Sequence, residues 1–513
     1  MPEKTGKVLS PRGRSRIMIS HMSTHATAQS TLTARSYDSN GILNDLQREA
    51  WGYFERNVNP LNGLVADRAP LSGGLPDSIP CSIAAVGFAL ACYPVAIERG
   101  FVRRNQASKL ALNTLRFFCE SEQSRARDAT GYRGFSYHFL DMKQGRRFPL
   151  FKRCEISTID TALLLAGALA AARYFDHDTS LERELRERAE TLARRVDWHW
   201  ALQGDEVMGE DEGAASTKQS ASLESAPHAV SHGWTPERGF LRARWLGYNE
   251  ALILYVLGLG SPSFALPVSS YEAWTETYRW KTIYNRDFLY CGSFFVHQFS
   301  HCWIDFKGIR DAPMSTHASD YFQNSHHATM IQHQYAKRNP RGFRDYDENN
   351  WGICAGDGPG EASRDEAHNK AANGEAAQDE ADRKPTRFYG YRARGVPFGV
   401  DDGTLAPWST VAALPFAPSV VLPFIEHAAP KERAAMSTHG GAFNDLLLTR
   451  NANFRKGWRA DQHFALALGP IVLMIENHRS GLLWELMRGS RHIENGLRRA
   501  NFNGGWLDAQ NKT

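Results

Sequence analysis

The stretch Cys154-Glu-Ile-Ser-Thr-Ile-Asp-Thr-Ala-Leu-Leu-Leu165 places two carboxylates, Glu155 and Asp160, at the start of a strongly apolar segment. We predict that this segment forms a buried helix. Glu250 stands ahead of a second apolar segment, 251–259, in the same way. Acidic side chains in front of two separate apolar helices indicate that carboxylates gather at one rim of a helical domain, an arrangement suited to general acid–base chemistry.

Helical patterns recur along the whole chain and favour an all-α protein. The clearest cover residues 41–57, 80–99, 105–122, 158–175, 180–202, 249–259, 267–279, 319–338, 408–428 and 480–489. Strand-like alternation is sparse, although the segment 464–476 is compatible with a short strand and turn. The 513 residues exceed about 250–300, the usual ceiling for one simple core. Helices without heptads, joined by long loops, therefore predict one large helical toroid whose inner helices begin at a common face.

Composition divides the chain into a leader, a main domain and a tail. Residues 1–38 are rich in Ser, Thr and Arg, and we expect a disordered leader there. We assign residues 39–495 to the main domain and residues 496–513 to a C-terminal tail. Two segments rich in small and acidic residues, 203–226 and 360–383, are interpreted as surface insertions of the main domain.

The location of the chain is predicted from what its apolar runs can do. No run in the leader is long enough for a signal-peptide core, and the longest in the chain, 162–172, is shorter than the about 18 residues of a membrane span. The sequence as written predicts a cytoplasmic protein without a membrane span. The expectation changes to a periplasmic location if the start site is misassigned. The seven widely spaced cysteines include no Cys-x-x-Cys pair and predict buried free thiols.

Several classes of function lack a signal in this sequence. The net charge is only +4 on 60 basic and 56 acidic side chains, which gives nucleic-acid binding little support. The sequence contains no His-Glu-x-x-His motif, so no metal site is predicted. It also contains no Gly-x-Ser-x-Gly motif, so no serine nucleophile is predicted. Neither a Gly-x-Gly-x-x-Gly motif nor a Gly-Lys-Ser/Thr loop occurs, so no nucleotide cofactor is predicted.

The two acids near position 158 allow more than one interpretation. Ser157 and Asp160 fit a capping box, in which a serine and an acid three residues later satisfy free backbone N–H groups at a helix start. Asp160 could therefore be a helix cap or a catalytic group. Glu155 lies ahead of the helix and is not needed for capping, which makes it a second candidate.

Glu250 also has a structural interpretation. Asn249 is a good N-cap, and an acid in a first helical turn is favoured by the helix dipole. That dipole would lower the pKa of Glu250, whereas a general acid needs a raised pKa. Burial among aromatic residues such as Trp245 and Tyr248 would have to outweigh the dipole. Otherwise Glu250 is a surface acid.

Three later loops mix acids, amides and tryptophans. The first, 345–360, contains Asp347, Glu348, Trp351 and Asp357. It could be a saccharide subsite or a solvated acidic loop, while calcium is disfavoured because the acids lack the EF-hand spacing. The others carry Asp402 with Trp408, and Asn477 with Trp484. Sugar rings stack on aromatic faces, although most of the 13 Trp, 17 Tyr and 27 Phe are expected in the core.

Taken together, these motifs resemble the bacterial glucoamylase-like domain family, which includes endo-β-1,2-glucanases and the glucan-processing part of cyclic β-1,2-glucan synthases. The strings span residues 41–490 in family order. They are Gly63-Leu-Val-Ala-Asp-Arg68, the helix start 157–165, Tyr248-Asn-Glu250, Phe306-Lys-Gly-Ile-Arg-Asp311, Asp320-Tyr-Phe-Gln-Asn-Ser325, Trp351-Gly352 through Gly358-Pro359, Asp402-Gly-Thr-Leu-Ala-Pro407, and Gly469-Pro-Ile-Val472 through Trp484. The chain departs from the family pattern at Ala355-Gly-Asp357 and in its two insertions.

The resemblance implies an (α/α)6 toroid with a carbohydrate cleft at one end, and a glycoside hydrolase acting on β-1,2-glucan without a cofactor. Glu250 matches the acid of the family's Tyr-Asn-Glu motif and is expected to be the general acid. Its catalytic partner remains open among Asp160, Glu155 and the pair Asp347/Glu348. Further residues are expected to bind the oligo- or polysaccharide: Tyr248, Trp351, Trp408 and Trp484 by stacking, and Asp67, Arg68, Asn249, Arg310, Asp357, Asp402 and Asn477 through hydroxyl groups.

Two other functions are compatible with the same motifs. A transglycosylase or phosphorylase could use the same cleft, and a phosphorylase would need a basic anion pocket near Glu250. A non-catalytic glucan-binding or osmoregulatory protein would lack a second carboxylate near Glu250. The separation of the two carboxyl groups further distinguishes inversion, at about 6.5–9.5 Å, from retention, at about 5–5.5 Å. The oligomeric state is not predicted.

Overall fold

The computed structural model describes residues 39–71, 73–75, 79–149, 154–203, 229–344, 346–358, 391–436, 446–447, 458–460 and 462–510. This part of the chain is predominantly helical and contains only short strands. The predicted leader 1–38 lies outside the described residues. So do the two predicted insertions, apart from Gln203.

The helices follow each other along the chain with few strands between them. They are α1 (Ser39–Arg56), α2 (Ile83–Glu98), α3 (Arg104–Glu120), α4 (Thr158–Tyr174), α5 (Ser180–Arg195), α6 (Leu252–Leu259), α7 (Val268–Glu276), α8 (Ala312–Thr316), α9 (Tyr321–Arg338), α10 (Pro407–Ala412), α11 (Pro418–Met436), α12 (Ala465–Arg479), α13 (Leu482–Arg488), α14 (Arg491–Arg499) and α15 (Gly505–Gln510). The positions of most of the predicted helices are confirmed to within a few residues.

The strands are two to four residues long and pair antiparallel in small sheets. They are β1 (Arg68–Pro70), β2 (Cys81–Ser82), β3 (Gly131–Tyr132), β4 (Phe135–Ser136), β5 (Phe139–Leu140), β6 (Ile156–Ser157), β7 (Gly233–Thr235), β8 (Gly239–Phe240), β9 (Trp280–Ile283), β10 (Arg286–Leu289), β11 (Thr404–Leu405), β12 (Leu446–Leu447), β13 (Trp458–Arg459) and β14 (Gln462–Phe464). Several of them directly precede a helix.

Four helices, α2, α4, α6 and α12, form the centre of the core because they are apolar on nearly every side. In α4 every residue from Thr158 to Ala171 is buried, and in α6 every residue is buried. α2 packs between α4 and α12, and α4 also contacts α6. A helix that is apolar all round is stable only when other elements cover it completely.

Two glycines allow α2 and α4 to touch along their backbones. A Cβ added at Gly167 would lie 1.9 Å from the Gly87 carbonyl oxygen, and one added at Gly87 would lie 2.3 Å from the Leu163 carbonyl oxygen. Since real Cβ atoms do not approach this closely, only glycine fits at either position. The helix starts of α2 and α4 are thereby held at a fixed spacing.

Amphipathic helices cover this centre. α5 buries Leu185, Ala189 and Leu192, which recur at helical spacing, while charged residues such as Arg183 and Glu187 face solvent. α3 buries a matching stripe and packs against α5. These helices cover apolar surface of their buried neighbours and do not contribute to the site described below.

Two predicted boundaries differ from the structure. The segment 464–476 is mainly helix α12, although Pro470 interrupts its hydrogen bonding. It was compatible with a strand because Pro and Gly stand in the middle of a short apolar run. The predicted helix 408–428 is split into α10 and α11, because residues 413–416 form turns ahead of Pro418.

The predicted C-terminal tail packs against the core as far as residue 510. Leu497, Phe502 and Leu507 are buried, and they lie in or beside α14 and α15. Their apolar character places them in the core although the sequence there is rich in polar residues. All seven cysteines are free thiols, as predicted, and five of them are buried while Cys119 and Cys291 are half-buried. Among the residues that the structure describes, no helix combines the length and apolarity needed to cross a bilayer.

Candidate active site

The segments that precede the buried helices meet at one end of those helices. β1 pairs with β14, which leads into α12, and the Ala465 N–H donates to the Asp67 carbonyl oxygen at 2.9 Å. The Asp67 N–H donates to the Pro80 carbonyl oxygen at 2.9 Å, just ahead of β2 and α2. β2 pairs with β5, and β6 pairs with β7 at the start of α4. The N-terminal ends of α2, α4 and α12 therefore lie together.

Asp160 caps α4 and also takes part in a cluster of charged groups. The Ser157 hydroxyl accepts from the Asp160 N–H at 3.2 Å and donates to the Asp160 carboxylate at 2.5 Å. The predicted capping interaction is therefore present. The His138 Nε2 atom lies 3.5 Å from Asp160 Oδ2, the same oxygen that the Ser157 hydroxyl contacts. Capping and a role in the site are compatible, because both contacts use Oδ2 rather than Oδ1.

His138 connects Asp160 with Glu155. Its backbone N–H donates to the Glu155 carbonyl oxygen at 2.9 Å, and its ring Nδ1 lies 3.0 Å from Glu155 Oε1. Burial lowers the pKa of His138, but the Asp160 and Glu155 carboxylates outweigh this effect and raise the pKa to about 9. Burial raises the pKa of Glu155, but the bond from His138 lowers it overall. At neutral pH the side chains form an imidazolium between two carboxyl groups.

Glu250 lies beside this cluster, and its pKa is raised. Burial raises its pKa from 4.5 to about 7; the backbone N–H of Glu250 itself opposes the shift and the charge of Asp160 adds to it. α6 begins only at Leu252, so Glu250 precedes the helix rather than lying in its first turn as predicted. The condition that burial must outweigh the helix dipole is met. Glu250 is half-buried, so it remains reachable from solvent.

A buried ion-pair cluster forms a second side of the site. Arg68 Nε lies 3.0 Å from Asp67 Oδ2, and Arg68 Nη1 lies 2.7 Å from Asp357 Oδ2. The Arg68 guanidinium also lies 5.2 Å from the centre of the Phe464 ring. Burial raises the pKa of Asp67 and of Asp357, and Arg68 opposes the shift in both. The Asp67 charge acts on both His138 and Asp160, which joins the two clusters electrostatically.

Asp402 is held next to Asp357 by a second arginine. Arg394 is fully buried; its Nε lies 2.8 Å from Asp402 Oδ1, and its Nη1 donates to the Gly356 carbonyl oxygen at 2.7 Å. Burial raises the pKa of Asp402, but the bonds from Arg394 lower it overall. Asp67, Arg68, Asp357 and Asp402, four of the predicted site residues, are thus brought together.

Tyr248 lies in the wall near Glu250. It is buried, and its ring centre lies 5.2 Å from that of His297 and 5.9 Å from that of Tyr321. Burial raises the pKa of the neighbouring Cys291 thiol to about 12, and the charge of Glu250 contributes to this shift. Tyr248 is therefore packed among aromatic rings close to the acid.

The side chain of Asn249, predicted to bind substrate, has a structural role. Its Oδ1 accepts from the Ala251 N–H at 3.0 Å and from Trp274 Nε1 at 3.2 Å, and its Nδ2 donates to the Leu246 carbonyl oxygen at 3.2 Å. These bonds fix the turn that presents Glu250. The Asn249 side chain thus holds the turn from which Glu250 projects.

The structure does not bring Asp347, Glu348 or Arg310 to the carboxylate cluster. Asp347 and Glu348 lie in an exposed turn, in which Asp347 Oδ1 accepts from the Asn349 N–H at 2.7 Å. Arg310 is exposed, and its backbone pairs with that of Asn503. The solvated-loop interpretation therefore describes Asp347 and Glu348 better than the catalytic one.

The tryptophans predicted to stack on sugars are mostly core residues. Trp351 is fully buried, with its ring centre 5.5 Å from that of His333. Trp408 is only 4% exposed and lies against Phe299. Sequence could not distinguish these residues from stacking platforms, because a tryptophan beside Gly and Asp occurs in both settings.

Asn477 and Trp484 lie at the opposite end of α12 from the carboxylates. Asn477 is twelve residues beyond Ala465, which corresponds to about 18 Å along a helix. Its Nδ2 donates to the Cys302 carbonyl oxygen at 3.1 Å, and Trp484 Nε1 donates to the His301 carbonyl oxygen at 2.7 Å. Both side chains tie the core together and do not reach the site.

His138 and Arg394 are site residues that the sequence prediction missed. His138 stands in the aromatic segment Phe135-Ser-Tyr-His-Phe139, where period-two alternation could have indicated a strand with a polar side chain on one face. Arg394 follows a long segment of low apolar content and carries no recognisable motif. Within the described ranges, no three His, Cys, Asp or Glu side chains are grouped so that they could hold a metal ion.

Comparison with known proteins identifies a similar family and similar folds. A family model described as "Glycoamylase: Putative glucoamylase" matches residues 242–491. An exo β-1,2-glucooligosaccharide sophorohydrolase (non-reducing end) from Parabacteroides distasonis is 22% identical over 501 residues, which cover 91% of this chain and 59% of that protein. The chain thus spans about three fifths of the length of this relative.

Solved structures share the fold over nearly the whole chain. A "putative glucoamylase" from Bacteroides uniformis has a TM-score of 0.73 and 25% identity, covering 92% of this chain and 100% of that one. An endo-β-1,2-glucanase from Chitinophaga pinensis, solved with sophorotriose and glucose, has a TM-score of 0.72 and 21% identity, covering 91% and 99%. Residues 242–491, which include Glu250, Arg394 and Asp402, thus match the model of a glucoamylase-like family, and the resemblance carried by the sequence motifs is confirmed.

Proposed function

We propose that this chain hydrolyses β-1,2-linked glucan, with Glu250 as general acid and Asp160 as its partner carboxylate. The observation that carries the proposal is the acidity of Glu250, whose pKa is raised to about 7 by burial and by the charge of Asp160. Two carboxyl groups with different environments are the basis of glycoside hydrolysis. The relatives named above, a sophorohydrolase and an endo-β-1,2-glucanase, support the choice of substrate.

Glu250 would act in its protonated form. Near neutral pH a substantial fraction of the Glu250 carboxyl groups keeps the proton and can donate it to the departing glycosidic oxygen. Asp160 would accept a proton from the water molecule whose oxygen attacks the anomeric carbon. We propose inversion, which requires the carboxyl groups of Glu250 and Asp160 to stand about 6.5–9.5 Å apart so that a water molecule fits between Asp160 and the sugar. The product anomer, read by NMR at early times, tests this choice.

His138 would position the two carboxylates instead of reacting with substrate. As an imidazolium it bonds Glu155 through Nδ1 and lies beside Asp160 through Nε2. Its Nε2 atom, 3.5 Å from Asp160 Oδ2, would hold this carboxylate in the position from which it accepts a proton. Glu155, whose side chain is tied to His138, would hold the ring in place.

The buried cluster of Asp67, Arg68, Asp357 and Asp402 would bind sugar hydroxyls. Each carboxylate is held in one orientation by an arginine. Oxygen atoms fixed in this way accept hydrogen bonds without a large loss of side-chain entropy on binding. Arg68 and Arg394 are already paired with carboxylates, so neither offers the anion pocket that a phosphorylase would need.

We also propose that the helices close into the (α/α)6 toroid expected from the family. Three observations support this architecture: the four buried helices contact one another in series, the starts of α2, α4 and α12 share one end, and the structural relatives match over nine tenths of the chain. The catalytic unit would extend at least to residue 510, because α14 and α15 pack against the core.

The test is incubation of the purified protein with linear β-1,2-glucan, and with β-1,3- and β-1,4-glucans as controls. Short β-1,2-linked products without added phosphate support hydrolysis. Products that require phosphate identify a phosphorylase, and longer or cyclic products identify a transglycosylase. Saturable binding without any product would refute the catalytic proposal and identify a binding protein.

A further inference from the structure

An aromatic pair, the half-buried Tyr290 and the exposed Phe398, lies on two segments that also carry neighbours of the carboxylate site. Phe398 is 65% exposed, one of the most exposed large apolar side chains in the described part of the chain. Its ring centre lies 5.7 Å from that of Tyr290. Burial stabilises a protein by about 25 cal/mol per Å² of apolar surface removed from water. A ring that stays in water therefore adds little to the free energy of folding. Stability therefore does not explain why this ring is held outside.

The pair is held in place by its backbone surroundings. A hydrogen bond joins the Phe398 backbone to the Tyr290 hydroxyl. The Val396 N–H donates to the Gly292 carbonyl oxygen at 3.2 Å, and a Cβ added at Gly395 would lie 2.2 Å from the Gly292 carbonyl carbon. The loop that carries Phe398 is thus seated directly on the segment that carries Tyr290. A ring fixed in this way loses little entropy when a ligand covers it.

The same two segments reach the proposed catalytic groups. Tyr290 is followed by Cys291, whose thiol lies close enough to Glu250 to feel its charge. Four residues before Phe398, the Arg394 side chain binds Asp402 and the Gly356 carbonyl oxygen. The aromatic pair therefore lies at the border of the site and outside the carboxylate cluster.

One side of the pair is already covered. The Lys281 ammonium lies 4.6 Å from the centre of the Phe398 ring and 5.2 Å from that of Tyr290. A cation over an aromatic face is attracted by the ring quadrupole and helps to fix the ring. Because Phe398 is mostly exposed, another part of its surface remains open to a ligand.

We propose that Tyr290 and Phe398 form a platform on which a glucose unit of the glucan stacks, away from the bond that is cleaved. Sugar rings present C–H faces that pack on aromatic rings while their hydroxyls stay hydrated. A platform at the border of the site contacts only chains long enough to reach it. The pair therefore sets a preference for longer glucans. This inference rests on the proposed function.

The test compares Phe398→Ala with Phe264→Ala, a control that removes an exposed phenylalanine just beyond the C-terminal end of α6. We expect Phe398→Ala to lower kcat/KM for long β-1,2-glucan about tenfold, which corresponds to losing part of one buried aromatic side chain. Values for the shortest oligosaccharide that is cleaved should stay within twofold of wild type. Phe398→Trp should restore the preference for long chains.

The two proposals fail in different ways. If wild-type protein cleaves β-1,2-glucan but Phe398→Ala matches Phe264→Ala on every chain length, the platform is refuted and the proposed function stands. An equal loss on short and long chains also refutes the platform, because it indicates a general disturbance of the site. If wild-type protein cleaves no β-1,2-glucan, the proposed function fails first.

Discussion

Replacing Glu250 with glutamine tests the proposed acid by two independent measurements. Glutamine keeps the shape of the side chain but cannot donate the proton. Since general acid catalysis contributes about 10²- to 10⁴-fold, we expect Glu250→Gln to lower kcat on β-1,2-glucan by at least about a hundredfold. In wild-type protein, activity should fall about tenfold per pH unit above pH 7, because Glu250 loses its proton there.

The stability of the same variant should depend on pH with a definite sign. The pKa of Glu250 rises from 4.5 in the unfolded chain to about 7 in the folded protein. The stability that the protonated side chain contributes is therefore complete below pH 4.5 and is lost as pH rises through 7. At about 1.4 kcal/mol per pKa unit, the full shift corresponds to about 3 kcal/mol. Glutamine stays neutral, so the variant should become more stable than wild type above pH 7.

The assay combines reducing-sugar release with thermal denaturation of wild type and variant at pH 5 and pH 8.5. The matched control is Glu276→Gln, the same change at an exposed position at the end of α7. It should alter neither activity nor the pH dependence of the melting temperature. Full activity of Glu250→Gln would remove this residue from the mechanism. A melting-temperature difference that does not grow with pH would show that Glu250 is not buried as an acid.

His138→Gln should lower kcat with little change in KM. Denaturation between pH 6 and 10 should also show that the variant is less stable than wild type. This deficit should be largest below pH 6.5 and vanish above pH 9, because wild-type His138 loses its charge there. A deficit that is constant across this range would contradict the charged bridge. Arg68→Ala should cost about 3–5 kcal/mol in urea denaturation, because it leaves two buried carboxylates unpaired; a loss below 1 kcal/mol would show that water compensates for the guanidinium. Gly167→Ala should destabilise the protein by at least about 1–3 kcal/mol, because its Cβ would collide with the Gly87 carbonyl. The control Gly41→Ala should be neutral or slightly stabilising, because a Cβ there meets no neighbour within 4 Å. Equal melting temperatures for the two alanine variants would refute the close crossing.

Helix positions could be predicted from the sequence because their periodicity is local. The segment 158–175 was recognised from its apolar run, and α4 occupies nearly the same residues. α12 was missed because Gly469 and Pro470 interrupt its sequence, although tertiary packing keeps the helix intact around them. The contact of Gly87 with Gly167 was out of reach, because it depends on which helices cross.

The site shows the same division between local and distant signals. Glu250, Asp160 and Glu155 could be found because each stands next to an apolar helix. Which acids meet is decided by the pairing of short strands. The local sequence around Asp347 and Asn477 therefore could not show that they lie outside the site. His138 was missed because its meaning depends on Glu155, which becomes its neighbour only through the strand pairing beside β6.

The glycine contact between α2 and α4 leaves these helices no room to slide past each other. A saccharide that enters at their N-terminal ends would therefore meet a rigid floor. Any accommodation of sugars with a different shape would fall to the loops above that floor, such as the one that carries Phe398. Redesign towards another polysaccharide should accordingly begin with loop exchange, since altering the helix crossing would shift Asp160 and its neighbours together.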